Sequence, residues 1–222
     1  MMISIARRAA AEAVGTGLLL TAVVGSGIMA ERLFGGNVGL ALLANALATG
    51  GALVALIITF APISGAQFNP VVSCVLAVRG LLTKRDLAVV IVAQLIGAAA
   101  GVCWAHLMFD LPILQISAHE RSGVGQWAGE FTATFGLVML IEAGRRHFST
   151  ALPGIVAAYI TAAYWFTSST SFANPAVTLA RALTDTFTGI GINNVVAFVI
   201  AQTLGASAAA VFSRWLFRPI AT

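Results

Sequence analysis

Two Asn-Pro dipeptides, Asn69-Pro70 and Asn174-Pro175, stand 105 residues apart, and each follows small polar residues and precedes a short apolar run. Asn is a strong helix N-cap, and Pro is favoured at the first helical position because it lacks an N–H and has a preset φ. Each dipeptide should therefore start a helix. The first helix can run only to about Arg79-Gly80 and the second to about Thr184-Asp185. About ten residues at 1.5 Å each reach ~15 Å, half of a bilayer core. The medium around them is set by composition: 59% apolar and 9% charged residues describe an integral membrane protein.

Six longer apolar segments surround the two short ones, at roughly 9–30, 38–60, 85–108, 127–144, 152–168 and 192–216. The first follows Arg7-Arg8 and has the look of a signal peptide, but its long run, its Glu12 and the five later spans favour an uncleaved helix. Three spans fall in each half, about 1–110 and 120–222, within one membrane domain over 1–222. Ala11-Glu12-Ala13-Val14-Gly15-Thr16 also matches Gly129-Glu130-Phe131-Thr132-Ala133-Thr134 in its Glu, small-residue and Thr spacing. An odd number of spans per half turns the second half upside down relative to the first. The expected fold is all-α: six transmembrane helices and two re-entrant half-helices in an inverted 3+3 repeat, the half-helices meeting near the midplane.

Nine Lys and Arg lie on the side of the N-terminus and three, Arg32, Arg121 and Arg181, on the other. That bias predicts cytoplasmic termini, and the net charge of +4 reads as a topology signal. No basic run with interleaved aromatics points to nucleic acid. Cys74 and Cys103 sit in apolar segments without CxxC spacing, and His106, His119 and His147 are scattered, so no metal site or cofactor is expected. Without a G-x-S-x-G, H-E-x-x-H or P-loop, nothing suggests an enzyme. Glu142 beside Arg145 and Arg146 reads as a solvated interfacial pair, and Gly15, Gly97, Gly101 and Gly205 read as close-packing positions.

Gly65-Ala66-Gln67-Phe68-Asn69-Pro70-Val71 and Phe172-Ala173-Asn174-Pro175-Ala176, with Glu12 and Glu130 in the first span of each half, give the chain a form that resembles the aquaporin, or major intrinsic protein, family over nearly its whole length. The resemblance implies that the two motifs meet at the centre of a narrow pore and that each monomer carries its own pore. It further implies that four monomers assemble in the cell membrane. It gives Asn69 and Asn174 amide donors to a passing solute, and it gives the half-helix macrodipoles, about half a charge each, a part in repelling cations. Glu12 and Glu130 are implied to bond backbone groups of the re-entrant loops.

The first motif departs from the family pattern by reading Asn-Pro-Val at Val71 where alanine is usual, a modest change in packing or pore width. Members of that family that pass only water usually narrow the pore with an aromatic residue, a histidine and an arginine directly after the second motif. By spacing, the four matching positions here are Thr49, Ala162, Ser171 and Val177, none aromatic or charged. The lining this implies is wide and uncharged with two hydroxyls. It suits small neutral polyols and hydroxylated metalloid acids, and resembles the bacterial aquaglyceroporins associated with arsenic detoxification. The favoured cargo is arsenite-type hydroxide, methylated arsenicals included, and glycerol, with a mainly water-conducting pore as the alternative.

Arg181 lies seven residues from Asn174 and four from Val177, on roughly the same helix face. It either replaces part of the missing charge at the pore mouth, or is a helix-end cation that snorkels to the surface or pairs with Asp185. A rival class, the ion-coupled secondary transporter, would use Glu12 and Glu130 as carriers.

Overall fold

The computed structural model describes residues 3–218; the two chain ends, 1–2 and 219–222, lie outside the described residues. Among the described residues the chain forms eight helices and no strand. Six are the long elements α1 (Ile5–Phe34), α2 (Val38–Ser64), α4 (Lys84–Met108), α5 (Val124–His147), α6 (Leu152–Phe166) and α8 (Ile192–Leu216). The other two, α3 (Pro70–Val78) and α7 (Pro175–Arg181), follow the Asn-Pro dipeptides. This is the expected order of spans and half-helices.

The helix starts follow local chemistry. Asn37 and Thr83 accept from the first turns of α2 and α4, while Gly35 and Gly65 close α1 and α2 with φ of 54° and 91°, the left-handed C-cap conformation that glycine adopts without a Cβ clash. Asn69 caps α3 through Val71 N–H, and Asn174 caps α7 through Ala176 and Val177 N–H, each with Pro as the first helical residue.

Two helices, α6 and α7, are shorter than expected, and α5 is less apolar. α1, α2, α4 and α8 are long and apolar enough to cross a membrane on composition alone. α5 falls short in apolarity because it carries Glu130 and Glu142, both buried. α6 is 15 residues long because the chain leaves it at Thr167 to enter the second re-entrant loop. α7 has seven residues, not the ten expected: Ala182 and Leu183 N–H bond back to Leu179 and Ala180 carbonyls, the tighter closing turn of a helix end. The chain then folds over, with Ile190 N–H on Arg181 O and Ser117 N–H on Ala182 O.

Packing repeats the inverted arrangement: α1 lies closely on α4, and α5 on α8, while α2 and α6 bridge the halves. Glycines permit the close approach. A Cβ at Gly97 would stand 2.1 Å from Ala13 O, one at Gly101 2.1 Å from Gly17 O, and one at Gly205 2.4 Å from Phe131 O. Small residues that let backbones meet are the usual device between membrane helices, where lipid supplies no hydrophobic drive to associate. Gly15 makes room for the Phe68 ring instead.

Candidate functional site

Two buried carboxylates hold the re-entrant loops. Glu12 Oε1 accepts from Ser64 Oγ (2.6 Å) and Gln67 N–H (2.9 Å), and Oε2 from Phe68 N–H (2.7 Å) and Gln94 Nε2 (2.8 Å). Glu130 does the same for the second loop, taking Phe172 N–H (2.8 Å), Ala173 N–H (2.8 Å) and Gln202 Nε2 (2.6 Å). Each glutamine also reaches its half-helix, Gln94 to Ser73 Oγ and Gln202 to Thr178 Oγ1. Irregular backbone at membrane depth needs such partners, since an unpaired amide there costs several kcal/mol. Ala66, Phe68, Ser171 and Ala173 have φ of 47° to 50°, a conformation that non-glycine residues hold only when their surroundings enforce it. The carboxylates supply that enforcement.

The two half-helices are tied tip to tip. Asn69 Nδ2 donates to Ala173 O (2.8 Å), and Asn174 Nδ2 to Phe68 O (2.7 Å). One amide hydrogen of each asparagine is thus spent on the opposite loop, and the other remains for the adjoining space. That space is a cavity of about 110 Å³ bordered by both asparagines. It reaches from Leu76, Arg145 and Leu152, on the side where α1 starts and α8 ends, to Thr49, Tyr164 and Arg181 on the far side. Among the described residues its lining holds no Asp or Glu.

All six motif residues form the two half-helix starts, and three of the four positions expected at the filter border the cavity. Thr49, Ser171 and Val177 border the cavity, and Pro70, Pro175 and Ala176 build the half-helix starts. Val71 is buried beside Val75, Val138 and Ala206, away from the cavity, so its extra methyls change packing and not width. Ala162 is a correction: it is exposed on the far face of α6. Ile160 and Tyr164, one turn apart, carry the cavity-facing stripe, and Ala162 falls about 200° from either at 100° per residue. Tyr164 OH lies 3.2 Å from Thr49 Oγ1.

Arg181 changes the picture further. It is 2% exposed, borders the cavity, and donates from Nε to Thr188 O, with its guanidinium carbon 3.4 Å from the Phe172 ring centroid. It neither reaches the surface nor pairs with Asp185, whose Oδ1 accepts from Ala118 N–H. The far end of the cavity therefore has an aromatic residue and a charge after all, supplied by Tyr164 and Arg181. Sequence spacing also missed Arg121, in the loop between α4 and α5. It donates to Gly189 O (2.7 Å) and lies 5.1 Å from the same Phe172 ring. Burial lowers its pKa from the ordinary guanidinium value, and Glu130 acts in the opposite direction. On the opposite side, Glu142 is buried and bridges Arg79 (3.2 Å) and Arg146 (2.9 Å), so it is no solvated surface pair. Gln94 and Gln202 were findable, because each is an amide at an internal position of an apolar span in the third span of its half.

A family model described as Major intrinsic protein matches residues 1–167. The chain is 56% identical to the Aquaglyceroporin AqpS of Rhizobium meliloti (strain 1021), over 96% of this chain and 91% of that one. The chain belongs to the major intrinsic protein family. It is also 30% identical to the Aquaporin AqpM of Methanothermobacter thermautotrophicus, over 97% of this chain and 99% of that one. The solved aquaglyceroporin from Plasmodium falciparum superposes with a TM-score of 0.75 at 21% identity, covering 96% of this chain and 98% of that one, and so shares the fold. As a major intrinsic protein the chain is a multi-pass membrane protein of a channel family. The family match ends at Thr167, just before the second re-entrant loop.

Proposed function

We propose that this major intrinsic protein is a passive channel for small neutral solutes, with arsenite-type metalloid hydroxides and glycerol-like polyols as favoured cargo. The observation that carries this reading is the acid-free cavity that borders both asparagines and ends among Thr49, Ser171 and Val177. Hydroxyls and a free amide hydrogen replace part of a solute's hydration, while valine leaves more room than arginine would. The two half-helix N-termini, each about half a positive charge, oppose cations and protons. A relative at 56% identity is called an aquaglyceroporin, which agrees with a polyol-sized path.

Four chains per assembly, each with its own pore, and both termini in the cytoplasm of the cell complete the proposal. The basis for the orientation is the nine cations on the terminus side. A mainly water-conducting pore is the second reading, and Tyr164 and Arg181 favour it because they narrow and charge the far end. The ion-carrier role for Glu12 and Glu130 loses its support. Both are fully buried, outside the cavity lining, and occupied by three or more donors each.

Stopped-flow light scattering on proteoliposomes, comparing water, glycerol and arsenite, tests the reading with the native protein and Val177→Arg. All three should cross the native channel without saturation or dependence on sodium. The substitution should reduce glycerol and arsenite far more than water. Equal loss of all three would refute the placement of Val177 in the filter.

A further inference from the structure

Arg121 and Arg181 share one aromatic ring and one cavity. Their guanidinium carbons lie 5.1 Å and 3.4 Å from the Phe172 centroid, so they are no farther apart than those two distances together. A second cavity, about 140 Å³, is bordered by both arginines and by Asn45 and Thr170, and among the described residues its lining holds no acid. Arg181 borders both this cavity and the pore.

A buried guanidinium, Arg181, and a part-buried one, Arg121, this close to each other need a compensating partner. Among the described residues neither arginine is in a salt bridge. The nearby carboxylates are occupied elsewhere, Glu130 by Phe172, Ala173 and Gln202, and Asp185 by Ala118. Arg181 spends only Nε, on Thr188 O, and both of its terminal nitrogens have no protein acceptor. Arg121 spends Nε on Gly189 O and makes only long contacts from Nη1, 3.5 Å to Ser169 O and 3.4 Å to Thr170 Oγ1, leaving Nη2 free. Free guanidinium forks beside such a cavity match an oxyanion in charge and in planar two-oxygen geometry.

We propose that Arg121 and Arg181 form a binding site for a small oxyanion at the far mouth of the pore, and that the bound oxyanion stands in the path of neutral solutes. The inference rests on the cavity being that path. The anion class is a monoanion with two or more oxygens on one centre. It binds between the guanidinium groups with Thr170 alongside and blocks Arg181, so anion and solute compete.

Methanesulfonate is a suitable probe because it stays ionised at working pH and has no neutral form to cross. Glycerol flux into proteoliposomes is measured against methanesulfonate on both faces, with equal chloride as the ionic-strength control. The native channel should be inhibited saturably by methanesulfonate and not by chloride, and more glycerol should relieve the inhibition. Arg121→Gln and Arg181→Gln should each raise the half-inhibiting concentration about tenfold, the loss of one charge-assisted contact, and Arg121→Lys by less. Normal glycerol flux with no inhibition, equal inhibition by chloride, or unchanged inhibition in both Gln variants overturns the site. Should the native protein pass no glycerol, the transport reading fails by itself. Calorimetric titration of methanesulfonate into the detergent-solubilised chain, native against Arg121→Lys, then decides the site: heat that saturates and weakens in the variant supports it, and no heat refutes it.

Discussion

The two re-entrant loops are one design used twice, and they differ in the side chains they turn to the cavity. With an offset of 105 residues, Ala66, Phe68, Asn69, Val72 and Leu76 correspond to Ser171, Ala173, Asn174, Val177 and Arg181, and all ten border the cavity. Behind each loop stand the same supports, Glu12 with Gln94 and Ser73, and Glu130 with Gln202 and Thr178. The supports are equal while the faces are not. The first loop offers alanine and leucine where the second offers serine and arginine. On the proposed passive path one discriminating stretch is enough, and the second loop carries a hydroxyl and a charge that the first lacks.

If the supports are equivalent, removing either carboxylate should do equal and large harm. Glu12→Ala leaves four donors without an acceptor and Glu130→Ala three, at about 1–3 kcal/mol each. Both variants should lose monodisperse protein on size exclusion in detergent, and tolerance of one alone would break the equivalence. Glycine contacts come next. Gly97→Ala puts a Cβ 2.1 Å from a backbone oxygen and Gly205→Ala one 2.4 Å away, so both should lower the thermal unfolding temperature, Gly97→Ala by somewhat more. Val71→Ala is the smallest effect. It removes two methyls from a buried cluster, about 1.5 kcal/mol, and should leave the ratio of water to glycerol permeability unchanged because Val71 does not border the cavity.

Much of this was legible in the sequence. The Asn-Pro pairs fixed two helix starts because cap and first-turn chemistry are local, and the spans followed from hydropathy. The 105-residue repeat even contained the answer for Arg181, since Leu76 holds the matching place. What failed depended on three-dimensional register. Counting back from Asn174 put the α6 filter position at Ala162, but the loop from Thr167 to Ala173 uses left-handed residues whose reach no count conveys, and the cavity stripe falls on Ile160 and Tyr164. Arg121 was invisible for a similar reason. It arrives from a distant loop, and only the fold of 182–191 gives it Gly189 O as an anchor.

The central claim is that the second loop discriminates and the first does not. Arg181→Leu gives the second loop the side chain of the first, and Leu76→Ala serves as its counterpart. Stopped-flow scattering on proteoliposomes should show Arg181→Leu raising glycerol permeability several-fold relative to water, with Leu76→Ala leaving that ratio near native. An unchanged ratio in Arg181→Leu, or an equal shift in Leu76→Ala, would contradict the account.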